Sequence, residues 1–557
     1  MMKMKNIYKY LFAFSLIFFM SCEITDLDKQ VDPTVPSPDN LDVDLTLNSI
    51  EISFANFFGQ ATEPTAEAVR LEYMFDRYEV NFNSSNANLQ NVWSTAYATI
   101  LEDVEALLVP AQENELYIHS GIARTIRAYV LLTMVDLFGD VPYAEANLGG
   151  ENLFPGLSEG SEVYDAAIAE LDLALADFEL VESGTPEPTT ELYYDSDVDS
   201  WIKLVNTLKF KAYLNLRLTD EAAASSTINS LVSGGDIIME SSENFVFQFN
   251  SSSEIGQHPY YVEEYVAATV SDYVSNYLMW TMAVEKPVDD PRLRYYTYRQ
   301  VNEFPSDPAV LNNEIDCWND PRPASYAPID AISPVPLPFC ALFDRGDGYW
   351  GRDHAENDGI PPDNTKRTTF GVYPVGGKFD NSQGTSITNT DGLQGAGIWP
   401  IMNASYVYFM RAEAALYLGT GEDPRAMLEE GVRTSIAYVT SFVDASEFEN
   451  APTEDDIEEY VTVVLNGYDA AGSDDERMAV IGKEYWIALF GNGIEAYNLY
   501  RRTGTPENLQ PTLLGTGNFP RSFLYPNNSV NSNPSISQKS DLTTQVFWDN
   551  NPAGFIF

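Results

Sequence analysis

From residue 43 onward, apolar side chains recur at steps of three and four, which gathers them on one face of an α-helix. Val43, Leu47, Ile50, Phe54 and Phe57 form the first stripe, and Trp93, Tyr97, Ile100, Val104 and Leu107 the second. A third stripe, Ile122, Ile126, Tyr129, Thr133 and Leu137, runs into Gly139 and Pro142, which end the helix. Ser161 then caps a helix that buries Tyr164, Ile168, Leu171, Leu175 and Phe178. Asp199 or Ser200 opens the next, with Trp201, Val205, Leu208 and Ala212 inward. A short Ala-rich helix from Glu221 to Val232 stops at Gly234-Gly235.

The pattern resumes near residue 400. Val407, Met410, Ala414 and Tyr417 form a stripe ended by Gly419, and Asp423-Pro424 is an N-cap followed by proline at the first helical position. Leu428, Val432 and Ile436 make the next stripe, with Gly431 small enough to admit close helix contact. Two helices within about 34 residues is the tetratricopeptide period, without that repeat's full consensus. Between 240 and 400 the period fails. That stretch is dense in Gly, Pro, Asp and Asn and has one strand-like run, Phe245 to Phe249. The predicted fold is therefore mostly α. Tetratricopeptide-like helix pairs form an α-α superhelical body over 43–239 and 401–557, the latter with the C-terminal segment, and 240–400 is a large irregular loop-rich insert.

The beginning of the chain has another character. Lys3, Lys5 and Lys9 precede the apolar run Tyr10 to Met20, which is too short to span a bilayer at about 20 residues per helix and has the length of a signal-peptide core. Ser21-Cys22 follows at once and looks like a lipobox, with Phe19 where Leu is usual. Residues 1–21 are thus expected to be a lipoprotein signal peptide and Cys22 the lipidated residue. Residues 22–42 then form an extended tether, rich in Pro and Ser from Asp32 to Asn40. Glu23, Asp26 and Asp28 resemble the acidic surface-export signals of outer-membrane lipoproteins. No later segment is apolar over 18 residues, so the expected membrane attachment is through lipid alone.

Charge narrows the partners. With 83 acidic against 31 basic residues the formal charge is −52, which repels phosphate backbones and excludes nucleic acid. Cys317 and Cys340 either form a disulfide, which an oxidising compartment permits, or remain two free thiols.

Catalytic motifs fail on context. Gly156-Leu157-Ser158-Glu159-Gly160 matches a nucleophile elbow, but that elbow needs a strand before the serine, and Asn147 to Pro155 reads as a loop. Gly346 to Gly351 matches G-x-G-x-x-G with no helix after it to receive a phosphate. The three histidines, His119, His258 and His354, are far apart, which argues against a zinc hydrolase or a histidine triad. Asp344, Asp347, Asp353, Glu356 and Asp358 offer hard oxygen ligands for calcium without the EF-hand spacing, so a solvated acidic loop is the preferred reading. No cofactor or metal is expected, and no catalytic residue.

Three ordered stretches carry a family resemblance. Arg127-Ala128-Tyr129 leads to Asp136-Leu137-Phe138-Gly139-Asp140-Val141-Pro142-Tyr143, and Met402-Asn403-Ala404-Ser405-Tyr406 leads to Arg411-Ala412-Glu413-Ala414. Glu484-Tyr485-Trp486-Ile487-Ala488-Leu489-Phe490-Gly491-Asn492-Gly493 leads through Glu495-Ala496 to Arg501-Arg502-Thr503-Gly504. Together with Pro520-Arg521 and Tyr525-Pro526, these resemble the SusD/RagB family of outer-membrane nutrient-binding lipoproteins. Tyr497 to Tyr500 departs from it, since Trp is common there.

The resemblance implies an outer-membrane, outward-facing protein that captures nutrient, most often oligosaccharide. It also implies a partner, a TonB-dependent outer-membrane barrel of the SusC type. The alternatives are peptide capture by the same architecture, a glycoside hydrolase, or a helical-repeat scaffold for another protein. The ligand residues have to be argued from chemistry. The insert holds Trp280, Trp318, Trp350 and Trp399, four of the chain's eight tryptophans, with no helical stripe to bury them. These four and Tyr326 are the expected exposed platform for stacking on a ligand.

Overall fold

The 3.6-residue stripes become helices in the computed structural model, which describes residues 41–147, 152–252, 256–267, 273–303, 307–309, 317, 320–340, 347–357, 364–514 and 517–556. The expected signal peptide, Cys22, the tether to residue 40, and Trp318 lie outside the described residues.

Helix α1 (Val43–Ala68) is followed by α2 (Ala87–Thr95), α3 (Leu101–Glu113) and α4 (Tyr117–Phe138). Then come α5 (Gly160–Glu179), α6 (Val198–Leu216) and α7 (Glu221–Gly234). Each of α3 to α6 packs on its successor in the chain. Helix α5 begins one residue before Ser161, at Gly160, and its free N-terminus is capped from another loop. Asp140 Oδ1 accepts from Gly160 N at 2.9 Å. Among described residues, no helix is long and apolar enough to cross a membrane.

After the insert, α9 (Ala404–Tyr417), α10 (Pro424–Thr440), α11 (Glu454–Ala470), α12 (Asp474–Ala488) and α13 (Gly493–Thr503) continue the pairing; α8 belongs to the insert and is described below. Asp423 caps α10 by accepting from Arg425 N at 3.0 Å, with Pro424 at the first helical position. The short connection makes α9 and α10 antiparallel neighbours. A Cβ placed on Gly431 would lie 3.0 Å from the Phe409 ring. Gly431→Leu should therefore destabilise the protein by about 1–3 kcal/mol through overpacking, read by urea or thermal unfolding; an unchanged melt would mean the two helices can part freely.

Helix α13 returns to pack on α1, and α12 touches both α9 and α13, so the two helical stretches share one core. Residues 43 to 557 form a single compact unit. The irregular insert is clamped at both ends. Strand β1 (Phe245–Gln248) pairs antiparallel with β4 (Ile398–Met402), and inside the excursion β2 (Thr297–Tyr298) pairs with β3 (Thr369–Phe370). The insert also holds α8 (Asn276–Ala283), every residue of which is buried.

The motif residues of the family resemblance are mostly interior. Asp136 accepts from Tyr164 OH, from Asn498 Nδ2 at 2.8 Å and from Trp548 Nε1 at 2.9 Å. Glu413 takes Arg502 through 2.7 and 2.8 Å contacts and Arg217 at 2.8 Å. Glu484 meets Arg292 at 3.2 Å and Lys286 at 2.8 Å, and Lys211 pairs with Glu495 at 2.7 Å. These buried groups are paired, as burial of charge requires.

Candidate functional site

The irregular insert meets the helical body at the end of α1. Arg70, in the left-handed region with φ 64°, stops that helix. Its buried guanidinium donates to Ala68 O at 2.6 Å and Gln510 O at 2.8 Å. The chain leaves as an irregular run, Tyr73 to Arg77, that turns at Asp76 (φ 58°) before a short helix, Tyr78–Asn81. Tyr73 N donates to Tyr273 O at 3.0 Å, and Ala355 N to Met74 O at 3.0 Å. Asn276 N donates to Arg352 O at 2.9 Å and Leu513 N to His354 O at 2.9 Å. Four segments, remote in sequence, are thereby tied through their backbones. Beneath them Asp353 is fully buried and accepts from Cys340 N at 2.6 Å, Asn276 Nδ2 at 3.1 Å and Gln510 Nε2 at 2.8 Å. Burial raises its pKa against these three donors.

Aromatic rings and charges sit on this junction. Tyr73 and Tyr273 meet edge to face at 5.8 Å, and the Arg352 guanidinium lies 4.9 Å from one ring and 5.3 Å from the other. Arg352 pairs with Glu356 at 3.0 Å. Burial pushes the Glu356 carboxyl up, with Arg352 opposing. Tyr73 OH donates to Glu356 O at 2.6 Å. Arg367, over Tyr273 at 5.3 Å, pairs with Glu264 at 2.6 Å. On the outer edge Phe75 is 47% exposed and is flanked by Asp76 and by the exposed Arg77. An exposed ring beside Asp76 and Arg77, on a run tied by its backbone to two other segments, can stack on one face of a ligand and bond its edge.

Four of the five residues expected to form an exposed platform are buried, and the fifth, Trp318, lies outside the described residues. Trp280 is 2% exposed on α8, stacked on Tyr277 at 5.8 Å. Trp350 is 3% exposed over the Cys317–Cys340 disulfide, which the structure shows to be formed. Trp399 is 3% exposed in β4, with His258 at 4.2 Å and Phe58 at 5.9 Å. Gly59 makes room for it, since a Cβ there would lie 2.7 Å from the indole. Tyr326 is fully buried, edge-on to Phe339 and 5.0 Å from Arg322. None of these four rings offers an open face.

Three of the five residues of the acidic cluster are described. Asp344 and Asp358 lie outside the described residues, Asp353 and Glu356 are engaged as above, and Asp347 is exposed. Among described residues no group of three metal-ligating side chains forms a site. Ser158 bridges to Val141 through the backbone, and its hydroxyl accepts from Ala144 N at 3.2 Å. Tyr73, Phe75, Tyr273, Arg352 and Glu356 escaped the sequence reading. One signal was present, the aromatic alternation Tyr73-x-Phe75 directly after a helical stripe.

Comparison with known proteins gives a consistent result. Residues 42–310 match the SusD-like family model described as starch-binding and associating with the outer membrane. Residues 379–544 match the model of Susd and RagB outer membrane lipoproteins. Comparison with curated protein sequences finds no match. A SusD/RagB family protein from Bacteroides thetaiotaomicron superposes with a TM-score of 0.66 at 16% identity, over 92% of this chain and 100% of that one. A chitin-binding SusD homologue from Flavobacterium johnsoniae gives 0.61 at 17% identity, over 91% and 98%. A further chitin-binding protein gives 0.64 at 18%, over 91% and 99%. At these identities the structural likeness speaks to the fold, the tetratricopeptide-like helical arrangement described above.

Proposed function

The chain belongs to the SusD/RagB family of outer-membrane lipoproteins, and on that premise we propose that it captures an oligosaccharide outside the cell and passes it to a TonB-dependent barrel of the SusC type. Membership makes it a binding protein and not an enzyme, and puts it at the outer membrane. The observation that carries the ligand reading is Phe75, an exposed ring followed directly by Asp76 and Arg77. Sugar rings present apolar C–H faces and polar edges, and this combination answers both. The chitin-binding character of two proteins that share the fold supports carbohydrate over peptide and makes chitooligosaccharides the first probes.

Calorimetric titration of the mature protein against chitooligosaccharides, starch oligosaccharides and peptides tests the reading. Phe75→Ala should weaken binding of the preferred sugar about tenfold, about 1.4 kcal/mol, and leave the melting temperature nearly unchanged because the ring is half exposed. Wild-type affinity in Phe75→Ala would put the site elsewhere. Gentle detergent extraction should bring a TonB-dependent barrel with the protein; migration alone, with the barrel expressed, would count against the transfer step.

A further inference from the structure

A second cavity, of about 360 Å³, opens between α11, α12 and the loop that follows α8. It shares no residue with the Phe75 junction. Its walls are apolar: Val463 and Gly467 from α11, Val480 from α12, and Ile332, which is 60% exposed. Its floor is charged. Lys483 Nζ donates to Tyr277 OH at 2.8 Å, Asn508 Oδ1 at 2.7 Å and Glu285 Oε1 at 3.0 Å, which uses all three of its protons. Asn508 Nδ2 donates to the same Glu285 oxygen at 2.8 Å and to Ser333 Oγ at 3.0 Å. Lys286 is paired with Glu484 at 2.8 Å.

Two buried atoms here lack a hydrogen bond: Lys286 Nζ, held by its ion pair with Glu484 alone, and one oxygen of Glu285. The Glu285 side chain is 9% exposed, and its second oxygen, Oε2, is buried without a hydrogen-bond partner. Burial alone would raise the Glu285 pKa, but Lys483 and Lys286 outweigh it and hold the group below its usual value, as a carboxylate. A buried carboxylate oxygen without a donor is costly, so what fits here must donate. The carboxylates lining the cavity, Glu285, Glu484 and Glu507, outnumber the cations Lys286 and Lys483. The missing donor is therefore best cationic. The apolar walls above the floor call for a hydrocarbon stem, and the volume is that of a small-ligand pocket, about 300–1,000 Å³.

We propose that this cavity binds an aliphatic primary ammonium group, with its nitrogen on Glu285 Oε2 and its methylene chain along Val463, Val480 and Ile332. A free alkylamine and a peptide lysine side chain share this chemistry.

The test is titration of the full mature protein with hexylamine, read by calorimetry and ligand-observed NMR at neutral pH. Saturable binding is expected, with Glu285→Gln weakening it at least tenfold. Because Glu285 also supports Lys483, a second variant keeps the test independent of folding. A side chain at Gly467 points into open space, with its nearest neighbour, Val480, 4.0 Å away, so Gly467→Leu should fill the groove and abolish binding without lowering the melt. Nα-acetyl-lysine methylamide run in parallel assigns the source: tighter binding than hexylamine indicates a peptide lysine, weaker binding a free amine. Three results would overturn the proposal: no saturable binding of either probe, hexanol binding as tightly as hexylamine, or undiminished binding by Gly467→Leu.

Discussion

Glu51→Gln is expected to stabilise the protein, by a margin that widens as the pH rises from 4.5 to 9. Glu51 lies on the buried face of α1, fully inaccessible, against the equally interior carboxylate of Glu191. Glu191 is served by three backbone donors, Tyr193 N at 2.7 Å and Tyr194 N and Ser196 N at 2.8 Å. Glu51 has only Leu192 N at 3.3 Å, on one oxygen, while its other oxygen has no partner. Burial, and then repulsion from Glu191, push the Glu51 carboxyl from 4.5 up to about 9. The sign follows from proton counting. Between those values the folded chain holds a proton that the unfolded chain releases, so stability is full below pH 4.5 and is lost as the pH climbs toward 9. The penalty grows by about 1.4 kcal/mol per pH unit, hence about 3 kcal/mol at pH 7. Glutamine imitates the protonated acid and can donate its amide to Glu191, so it removes the penalty and the slope together. Urea unfolding of both proteins at pH 5, 7 and 8.5 measures this, and parallel stability curves would refute the assignment.

The position of Glu51 also shows what a periodicity argument reads and what it misses. The stripe Val43, Leu47, Ile50, Phe54, Phe57 identified α1 and its inward side, because burying apolar area on one face dictates a 3.6-residue repeat. Nothing in that repeat reveals that a neighbouring acid is drawn under by a loop 140 positions away. Trp280, expected to be exposed, is buried for a related reason. Asn276-Tyr277-Leu278-Met279-Trp280-Thr281-Met282-Ala283 has no polar face because α8 is buried all round, and an all-round apolar helix leaves no period to detect. The insert thus looked like loops with exposed rings, when Trp280 and Trp399 join the core of the helical body and Trp350 a small cluster with Cys317 and Cys340. Phe75 was hidden in the opposite way. The segments on either side of it, Tyr73-Met74 and Asp76, are tied to Tyr273, Ala355 and Glu356 only through backbone pairing between distant parts of the chain. The disulfide depended on the same tertiary approach, and spacing alone left Cys317 and Cys340 open.

Family motifs fared better, and their chemistry explains why. Glu413→Ala should cost about 3–5 kcal/mol, the loss found when one member of a buried ion pair is removed and its partner stays behind. Glu413, from α9, is inaccessible to solvent. Burial would raise its pKa, but Arg502 and Arg217 outweigh this and hold it below the ordinary value. Arg502, from α13, donates from its remaining nitrogen, Nη1, to Asn215 Oδ1 of α6 at 2.7 Å. One carboxylate therefore joins helices from the first and second helical stretches, and truncating it strands two guanidinium groups inside. The cost belongs to the unpaired cations more than to the lost attraction, and that distinction is measurable. Arg502→Met alone should be strongly destabilising, while Glu413→Leu combined with Arg502→Met should lose clearly less than the two single changes added together. The combined variant should also keep the protein's oligosaccharide affinity, because Glu413 lies in the interior and not on the Phe75 junction. Strict additivity of the two substitutions in a denaturation cycle would mean that the pair does not act as a unit, and that the Arg-Ala-Glu-Ala and Arg-Arg motifs have some other reason to occur together.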